Sequence, residues 1–315
     1  MSKIQQPQTQ VLITTGDTDG VGLEVAVKAL LKVGRLPGVR FVLFKDTYTP
    51  SFLRSKLALL SRRLGAKSLE ILDLSTPPPE WVKEAAQMCL KEPKSVLVTG
   101  PLSKEIIRAC GINEIGHTEI LKTVTKSSSA YMAFLGKEFN VALATDHIRL
   151  SEIHRQLSVS KILEVSRFMH QFKSYLSDRI QKKPLALVGL NPHAGESGII
   201  GDEELEFYPD VLSQLMQENI PVVGPLVPDA AFLKQNWNKY AAYICPYHDQ
   251  GLIPFKMIHG QNSGVHVTLG LPIVRTSVDH GTAKDIYGQN RANPSSMIAA
   301  LQWAVQLSRK RLNRS

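Results

Sequence analysis

Four histidines follow short apolar segments of the chain, each in a turn of small and polar residues. They are His117 in GINEIGHTEI, His147 in ALATDHIRL, His193 in LVGLNPHAGESG and His248 in YICPYHDQGLIPFK. In a layered α/β protein, the turns at the carboxyl ends of parallel strands lie along one edge of the sheet. His147, His193 and His248 could therefore bind one divalent metal and leave positions open for a substrate. Their spacings match no local metal motif, so structural or surface roles stay open.

The turn that carries His248 also offers candidate proton acceptors. His248-Asp249-Gln250-Gly251 combines an imidazole, a carboxylate and an amide, a set that is costly to bury unless it is paired or ligand-bound. Asp249 and Lys256 are the candidates for a general base that removes a hydroxyl proton. A solvated lysine is the alternative for Lys256.

Two further positions suit an anionic ligand. Arg275 follows an apolar run, where a fixed guanidinium could hold a carboxylate or phosphate by two contacts. His117 and Thr118 stand at a predicted helix start, which suits a phosphate. The alternatives are a salt bridge from Arg275 to Asp279 or Asp285, and an N-cap formed by Thr118.

A polar loop after Arg275 resembles the nicotinamide-binding loop of the isocitrate and isopropylmalate dehydrogenases. That family uses a DHG-type turn and an ANP-type loop in place of a glycine fingerprint. The resemblance implies that this loop carries the adenine end of NAD or NADP, and a surface turn is the alternative. The candidate cofactor residues are Asp279, His280, Gly281, Thr282 and Asn293.

Strand-like apolar segments alternate with longer helical stretches along the chain, which predicts an α/β fold. Examples are the predicted strands at 11–15, 40–44 and 95–99 and the predicted helices at 23–33 and 51–64. We expect two α/β/α domains with a cleft between them. The first would comprise residues 1–125 with 270–315 on the cofactor side, and the second residues 126–269 on the metal and dimer side.

Composition narrows the class of protein. The 315 residues carry a net charge of +9, yet the basic residues are scattered and match no nucleic-acid-binding motif. The longest apolar runs are strand-sized, so we expect no membrane span. The polar N-terminus lacks the apolar core of a secretion signal. The three cysteines form no CxxC pair, which favours a cytoplasmic protein.

Several motifs occur together in a fixed order along the chain: GHTEIL, ALATDH, GLNPHAGE, YHDQG and TLGLPIVRTSVDHGTA. This set resembles the 4-hydroxythreonine-4-phosphate dehydrogenase family of pyridoxal phosphate biosynthesis, and the resemblance runs from Thr14 to about Ala300. It implies the isocitrate-dehydrogenase-like fold. It also implies NAD(P)-dependent oxidation of 4-hydroxythreonine 4-phosphate to a β-keto acid, which decarboxylates to 3-amino-2-oxopropyl phosphate.

The resemblance also implies the roles of particular residues. The three histidines named above would bind a divalent metal (zinc, magnesium, cobalt or manganese) shared across a homodimer interface, with the active site at that interface. The positions that would contact the phosphorylated substrate are His117, Thr118, Lys256 and Arg275.

Two positions depart from the family pattern. His266 stands where the family usually has a substrate-contacting Asn, and the first loop has Thr18 and Leu23 in place of prolines. A neutral imidazole can donate a hydrogen bond, and a protonated one can pair with an anion. A dehydrogenase for a related sugar acid, such as erythronate or threonate phosphate, is therefore an alternative. A metal-dependent hydrolase and a non-catalytic binding protein are more distant ones.

Overall fold

The computed structural model describes residues 9–260 and 263–312. Its strands, in chain order, are β1 (Thr9–Thr14), β2 (Val39–Asp46), β3 (Leu69–Leu74), β4 (Ser95–Thr99), β5 (Tyr131–Leu135), β6 (Val141–Leu143), β7 (Leu185–Val188), β8 (Val222–Leu226), β9 (Ala242–Cys245), β10 (Val265–Leu269) and β11 (Val274–Ser277).

Helices separate most of these strands, which confirms the α/β class. The α-helices are α1 (Gly22–Val33), α2 (Ser51–Leu64), α3 (Pro78–Lys91), α4 (Lys104–Ala109), α5 (His117–Thr125), α6 (Ile153–Gln156), α7 (Val159–Phe172), α8 (Asp178–Gln181), α9 (Glu203–Gln217), α10 (Pro228–Ala231), α11 (His248–His259) and α12 (Ser295–Leu312). Short 3-10 segments are Leu150–Glu152, Lys173–Tyr175, Pro192–Gly198, Lys234–Asn236 and Lys284–Ile286. No helix among the described residues is both long and apolar enough to cross a bilayer.

The first of two compact units consists of the described residues up to 130 and from 265 onward. Its strands lie in the order β3-β2-β1-β4-β11-β10. All neighbours pair in parallel except β10 and β11, which are antiparallel. Strand β4 is buried at every residue, as expected of a parallel strand with helices on both faces. The core on one face includes the fully buried Trp81 of α3.

Strand order reverses within this unit. The chain runs outward from β1 to β2 and β3, and then returns to the opposite side of β1 as β4. In open α/β sheets, ligands bind beyond the carboxyl ends of the strands at such a switch point. The loops that leave β1 and β4 therefore flank the expected ligand site of this unit.

Residues 131–264 form the second unit, with strand order β5-β6-β9-β7-β8. Strand β5 pairs antiparallel with β6, and the other neighbours are parallel. Its core includes an aromatic cluster in which the Phe139 ring packs edge-on against Tyr243 and Phe255, with centroids 5.7 and 5.9 Å apart. Edge-to-face pairs stabilise a core beyond the area that they bury.

The units divide at 130/131 and 264/265, whereas the sequence placed the boundaries at 125/126 and 269/270. Strand β10 accounts for the second difference, because its ladder with β11 joins it to the first unit. The apolar run from Val265 to Val274 thus contains β10, the turn that follows it and the first residue of β11.

The segment from His248 to His259 is a helix, whereas the sequence indicated a loop. Pro254 inside it argues against a helix in the sequence, since proline removes a backbone donor. Burial of Leu252 and Phe255 on the inner face outweighs that local preference.

Candidate functional site

His147 and His248 lie beside each other at one edge of the second unit's sheet. His147 follows β6, and His248 is the first residue of α11, shortly after β9. Because β6 and β9 are adjacent and parallel, both segments leave the same edge. The two ring centroids are 5.1 Å apart. The structure therefore brings together two of the three predicted metal ligands.

Asp249 orients the His248 ring. Its Oδ1 lies 2.7 Å from His248 Nδ1. An ionised carboxylate only accepts hydrogen bonds, so Nδ1 of the ring carries the proton and the neutral ring keeps its lone pair on Nε2. Carboxylates commonly support metal-binding histidines in this way. The contact favours Asp249 as a support for His248 over a role as the general base.

His193 lies in a left-handed turn. Within the 3-10 segment Pro192–Gly198, the non-glycine residues with φ between 46° and 58° are His193, Ala194, Glu196 and Ser197. Left-handed backbone costs non-glycine residues about 1–2 kcal/mol each. Such a run persists only where the surrounding structure holds it, and it is typical of functional loops.

Glu204 of α9 holds this turn. Its buried carboxylate accepts hydrogen bonds from Asn191 N at 2.8 Å and Asn191 Nδ2 at 2.9 Å. A Cβ at Gly195 would stand 2.7 Å from Glu204 Oε2, so only glycine allows this approach. Gln250 Nε2 donates to Gly189 O at 2.7 Å and thereby links the strand end before the turn to α11.

The structure does not bring the three predicted metal-binding histidines together. Among the described residues, no group of three or more His, Cys, Asp or Glu side chains could hold a metal ion. The exposed His193 does not join the pair formed by His147 and His248. Imidazole donors suit a divalent transition metal, so the chemistry of the pair fits but the number of ligands does not.

In the first unit, Arg275 is a buried cation surrounded by hydroxyl groups. Its Nε and Nη2 donate to Thr99 Oγ1 at 3.1 and 2.7 Å, and Nη1 donates to Thr268 Oγ1 at 2.9 Å. Burial lowers the pKa of this guanidinium to about 9, so it stays charged at neutral pH. Arg275 forms no ion pair with a carboxylate among residues 9–260 and 263–312. In particular, it does not pair with Asp279 or Asp285. A buried cation in this state favours an anionic ligand.

His266 faces this guanidinium. The residue is 8% exposed, and its Nδ1 lies 3.4 Å from Arg275 Nη1. Arginine only donates, so in this contact a neutral His266 ring accepts at Nδ1 and carries its proton on Nε2. In that tautomer Nε2 donates a hydrogen bond and does not accept one.

A cleft of about 410 Å³, here called the switch-point cleft, is lined by residues 100–104 after β4, by most of 277–282 after β11, and by His117. His117 is the first residue of α5, where unpaired backbone N–H groups suit an anion. Its Nε2 is shielded and has no hydrogen-bond partner among the described residues. Burial, and then the positive charge of Arg275, lower the pKa of His117 to about 3, so the ring is neutral.

The predicted cofactor residues divide into two groups. His280, Gly281 and Thr282 line the switch-point cleft, whereas Asp279 and Asn293 are not among its lining residues. Asn293 Oδ1 accepts from Ser295 N and Oγ at the start of α12 (3.0 and 2.7 Å). Asp279 N donates to Ser296 Oγ at 3.0 Å. These two residues fasten the loop to α12.

The remaining predicted residues lie on helices. Thr118 is the second residue of α5 and is partly buried, and the N-cap of α5 is Gly116 with no side-chain cap, so Thr118 does not cap the helix. Lys256 is exposed on α11, seven residues after Asp249 and thus on the same helix face.

Sequence reasoning missed two residues of the cleft. Ser103 caps α4, its Oγ accepting from Ile106 N, and the exposed Lys104 begins that helix. Both line the switch-point cleft. The signal was available, because Gly100-Pro101 marks the end of a predicted strand beside the switch point, where polar residues merit attention.

A model of the family described as pyridoxal phosphate biosynthetic protein PdxA matches residues 78–304. The chain belongs to the PdxA family. The matched range contains every predicted site residue, and membership confirms the resemblance seen in the motifs. The PdxA model thus spans both the cleft of the first unit and the histidines of the second.

Relatives of this PdxA-family chain carry two names. The chain is 35% identical over 299 residues to the 4-hydroxythreonine-4-phosphate dehydrogenase of Geobacter metallireducens, covering 94% of this chain and 86% of the relative. It is 32% identical over 326 residues to the D-threonate 4-phosphate dehydrogenase of Salmonella typhimurium, covering 95% and 98%.

Solved structures confirm the fold. The crystal structure of 4-hydroxythreonine-4-phosphate dehydrogenase from Klebsiella pneumoniae aligns with a TM-score of 0.81 at 27% identity, covering 96% of this chain and all of that one. Isocitrate dehydrogenase from Methylococcus capsulatus aligns at 0.50 with 13% identity, covering 96% and 88%, a likeness of fold alone.

Proposed function

We propose that this protein is an NAD(P)-dependent dehydrogenase that oxidises 4-hydroxythreonine 4-phosphate to a β-keto acid, which loses carbon dioxide to give 3-amino-2-oxopropyl phosphate. Membership of the PdxA family and the names of the relatives support this reaction. The structural observation that carries it is the buried, carboxylate-free Arg275 close to His117 and the switch-point cleft.

The first unit would bind the phosphorylated substrate and the dinucleotide. Arg275 and His117 would hold the anionic groups, with Thr118 beside them on α5. His280, Gly281 and Thr282 would contact the cofactor, which accepts the hydride from the substrate carbon. Backbone N–H groups and fixed dipoles at the start of α5 would hold negative charge without reorganisation.

The second unit would supply the proton acceptor. Lys256 is our candidate for the base that takes the hydroxyl proton, since Asp249 is engaged with His248. A divalent cation on His147, His193 and His248 would stabilise a developing alkoxide.

A homodimer would supply the metal ligands that one protomer lacks. Helix α11, which carries His248 and Lys256, exposes Ile253, Met257 and Ile258 to 59%, 79% and 43%. Adjacent exposed apolar side chains on a site-bearing helix favour a protein interface. We therefore propose that two copies share each metal site.

D-threonate 4-phosphate is a second candidate substrate. A relative of similar coverage is named for activity on this compound. The geometry of His266 also favours D-threonate 4-phosphate as the substrate. A ring that only donates pairs well with a hydroxyl oxygen, whereas it opposes the ammonium group of an amino acid. If His266 meets the substituent at carbon 2, the hydroxy acid binds better than the amino acid.

A spectrophotometric screen tests these proposals. The purified protein is assayed with both phosphates, with NAD and NADP, and with zinc, magnesium, cobalt or manganese after chelation. We expect nicotinamide reduction that requires metal, and we expect His193→Ala to abolish it while circular dichroism and elution volume stay unchanged. A His193→Ala variant as active as wild type would contradict the metal role. Metal-dependent phosphate release without a nicotinamide signal would instead indicate a hydrolase.

His266→Asn distinguishes the two substrates. We expect the variant to gain or retain activity on 4-hydroxythreonine 4-phosphate and to lose preference for D-threonate 4-phosphate. An unchanged ratio of kcat/KM for the two substrates would exclude His266 as the selecting residue. Sedimentation velocity of the wild type measures the dimer directly.

A further inference from the structure

Asp17, in the loop after β1, is a buried carboxylate outside the candidate residues discussed above. Its side chain has no exposed surface. Burying a charge is costly unless it is paired and hydrogen-bonded, so its partners indicate what the residue does. It is not among the residues that line the switch-point cleft.

One oxygen of Asp17 holds the wall of the cleft that follows β4. Asp17 Oδ1 accepts a hydrogen bond from Ser103 N at 2.9 Å, and Asp17 N donates to Pro101 O at 3.0 Å. Both partners line the cleft. Side chain and backbone of one residue thus fix this wall.

The other oxygen faces the loop after β11. Asp17 Oδ2 lies 3.4 Å from Lys284 Nζ, which also lies 2.9 Å from Asp19 Oδ2. Lys284 comes two residues after Thr282, whose carbonyl accepts from Val21 N at 2.9 Å. The Asp19 and Asp17 carboxylates raise the pKa of Lys284, so it stays charged at neutral pH.

We propose that Asp17 is a positioning residue whose pairing with Lys284 sets the distance between the two walls of the switch-point cleft, and hence its affinity for a dinucleotide. The inference rests on the proposed function. Asp17 contacts Ser103 and Pro101 of one wall directly and reaches the other wall through Lys284, without lining the cleft itself. The Asp19 contact with Lys284 is shorter but more exposed, at 55% for the Asp19 side chain, so solvent screens it more strongly.

Three variants separate this role from a general structural one. Asp17→Asn keeps an acceptor for Ser103 N and removes the charge, Lys284→Gln removes the partner, and Asp19→Asn is the matched control. By calorimetry with NADH, we expect Asp17→Asn and Lys284→Gln each to weaken binding about tenfold. The double variant should bind NADH no more weakly than either single variant, as expected for a coupled pair. Asp19→Asn should stay within about twofold of wild type. In turnover assays KM for the dinucleotide rises while kcat holds, and Lys284→Arg retains wild-type values.

Hydrogen–deuterium exchange provides a readout that needs no ligand. Asp17→Asn should speed exchange in both 100–104 and 277–282, and Asp19→Asn should not. Wild-type NADH affinity in Asp17→Asn, additive single effects, or exchange confined to one wall would overturn the inference. A wild-type protein that does not bind NADH would show that the cofactor assignment has failed. The positioning role is rejected separately if Asp17→Asn and Asp19→Asn show the same exchange rates in 100–104 and 277–282.

Discussion

Replacing Arg275 with methionine should leave the stability of the protein nearly unchanged and destroy its affinity for a phosphorylated substrate. Methionine has similar length and no charge, so it fills the buried space without desolvating a cation. The guanidinium is 3% exposed and lacks a carboxylate partner among the described residues. A buried charge that lowers the stability of the fold is expected where it serves to bind a ligand.

The size of the effect follows from the pKa. Burial lowers the pKa of Arg275 from 12.5 to about 9. At about 1.4 kcal/mol per pKa unit, the charged form destabilises the fold by about 5 kcal/mol at neutral pH. Losing the three hydrogen bonds that this charged group donates to Thr99 and Thr268, at about 1.5 kcal/mol each, offsets about 4–5 kcal/mol. The two contributions nearly cancel, so Tm should change by no more than about 3 °C.

The assays are thermal unfolding without ligand and steady-state kinetics. Loss of a charge-assisted contact to phosphate costs at least about 2 kcal/mol, so KM should rise at least about thirtyfold. Arg275→Lys is the control, because it keeps a buried charge without the planar set of guanidinium donors, so its Tm should fall below that of Arg275→Met. A marked fall in Tm for Arg275→Met, with KM unchanged, would show that the guanidinium is structural and refute the reasoning.

Three further predictions concern single side chains. Phosphate binding should take up a proton at about pH 4–5, because an anion beside His117 raises to between about 4 and 6 a pKa that the free protein holds at about 3. Calorimetry in buffers of different ionisation enthalpy measures this uptake, and uptake that persists in His117→Gln would contradict the prediction. Lys104→Ala should raise KM for the phosphorylated substrate about tenfold with kcat held, whereas Lys94→Ala, outside the lining residues, should change neither. Gly136→Ala should lower the free energy of unfolding by about 1–3 kcal/mol. The added Cβ would clash with the His259 ring, which is held in place by hydrogen bonds with Phe255 O and Glu138 N. An unchanged urea midpoint would show that the ring moves to make room.

The pairing of His147 with His248 could be anticipated from the sequence, because segments leaving adjacent parallel strands share one edge. The left-handed turn at His193 could not, since only two of its six residues with positive φ are glycine and its support, Glu204, lies outside the motif. Likewise, no local pattern links Arg275 to Thr99, 176 positions away. Periodicity predicts elements, but long-range polar contacts depend on strand order and register.

The first unit is built from two separate segments of the chain, which affects how it folds during synthesis. The second unit is continuous in sequence and has all its strands once residue 264 has emerged from the ribosome. The first unit is complete only after β10, β11 and α12 have been synthesised. Until then, the edge of β4 that later pairs with β11 has no hydrogen-bonding partner strand. Unpaired apolar edges promote aggregation. We therefore expect truncation before residue 274 to yield insoluble protein, and co-translational folding to begin in the middle of the gene product.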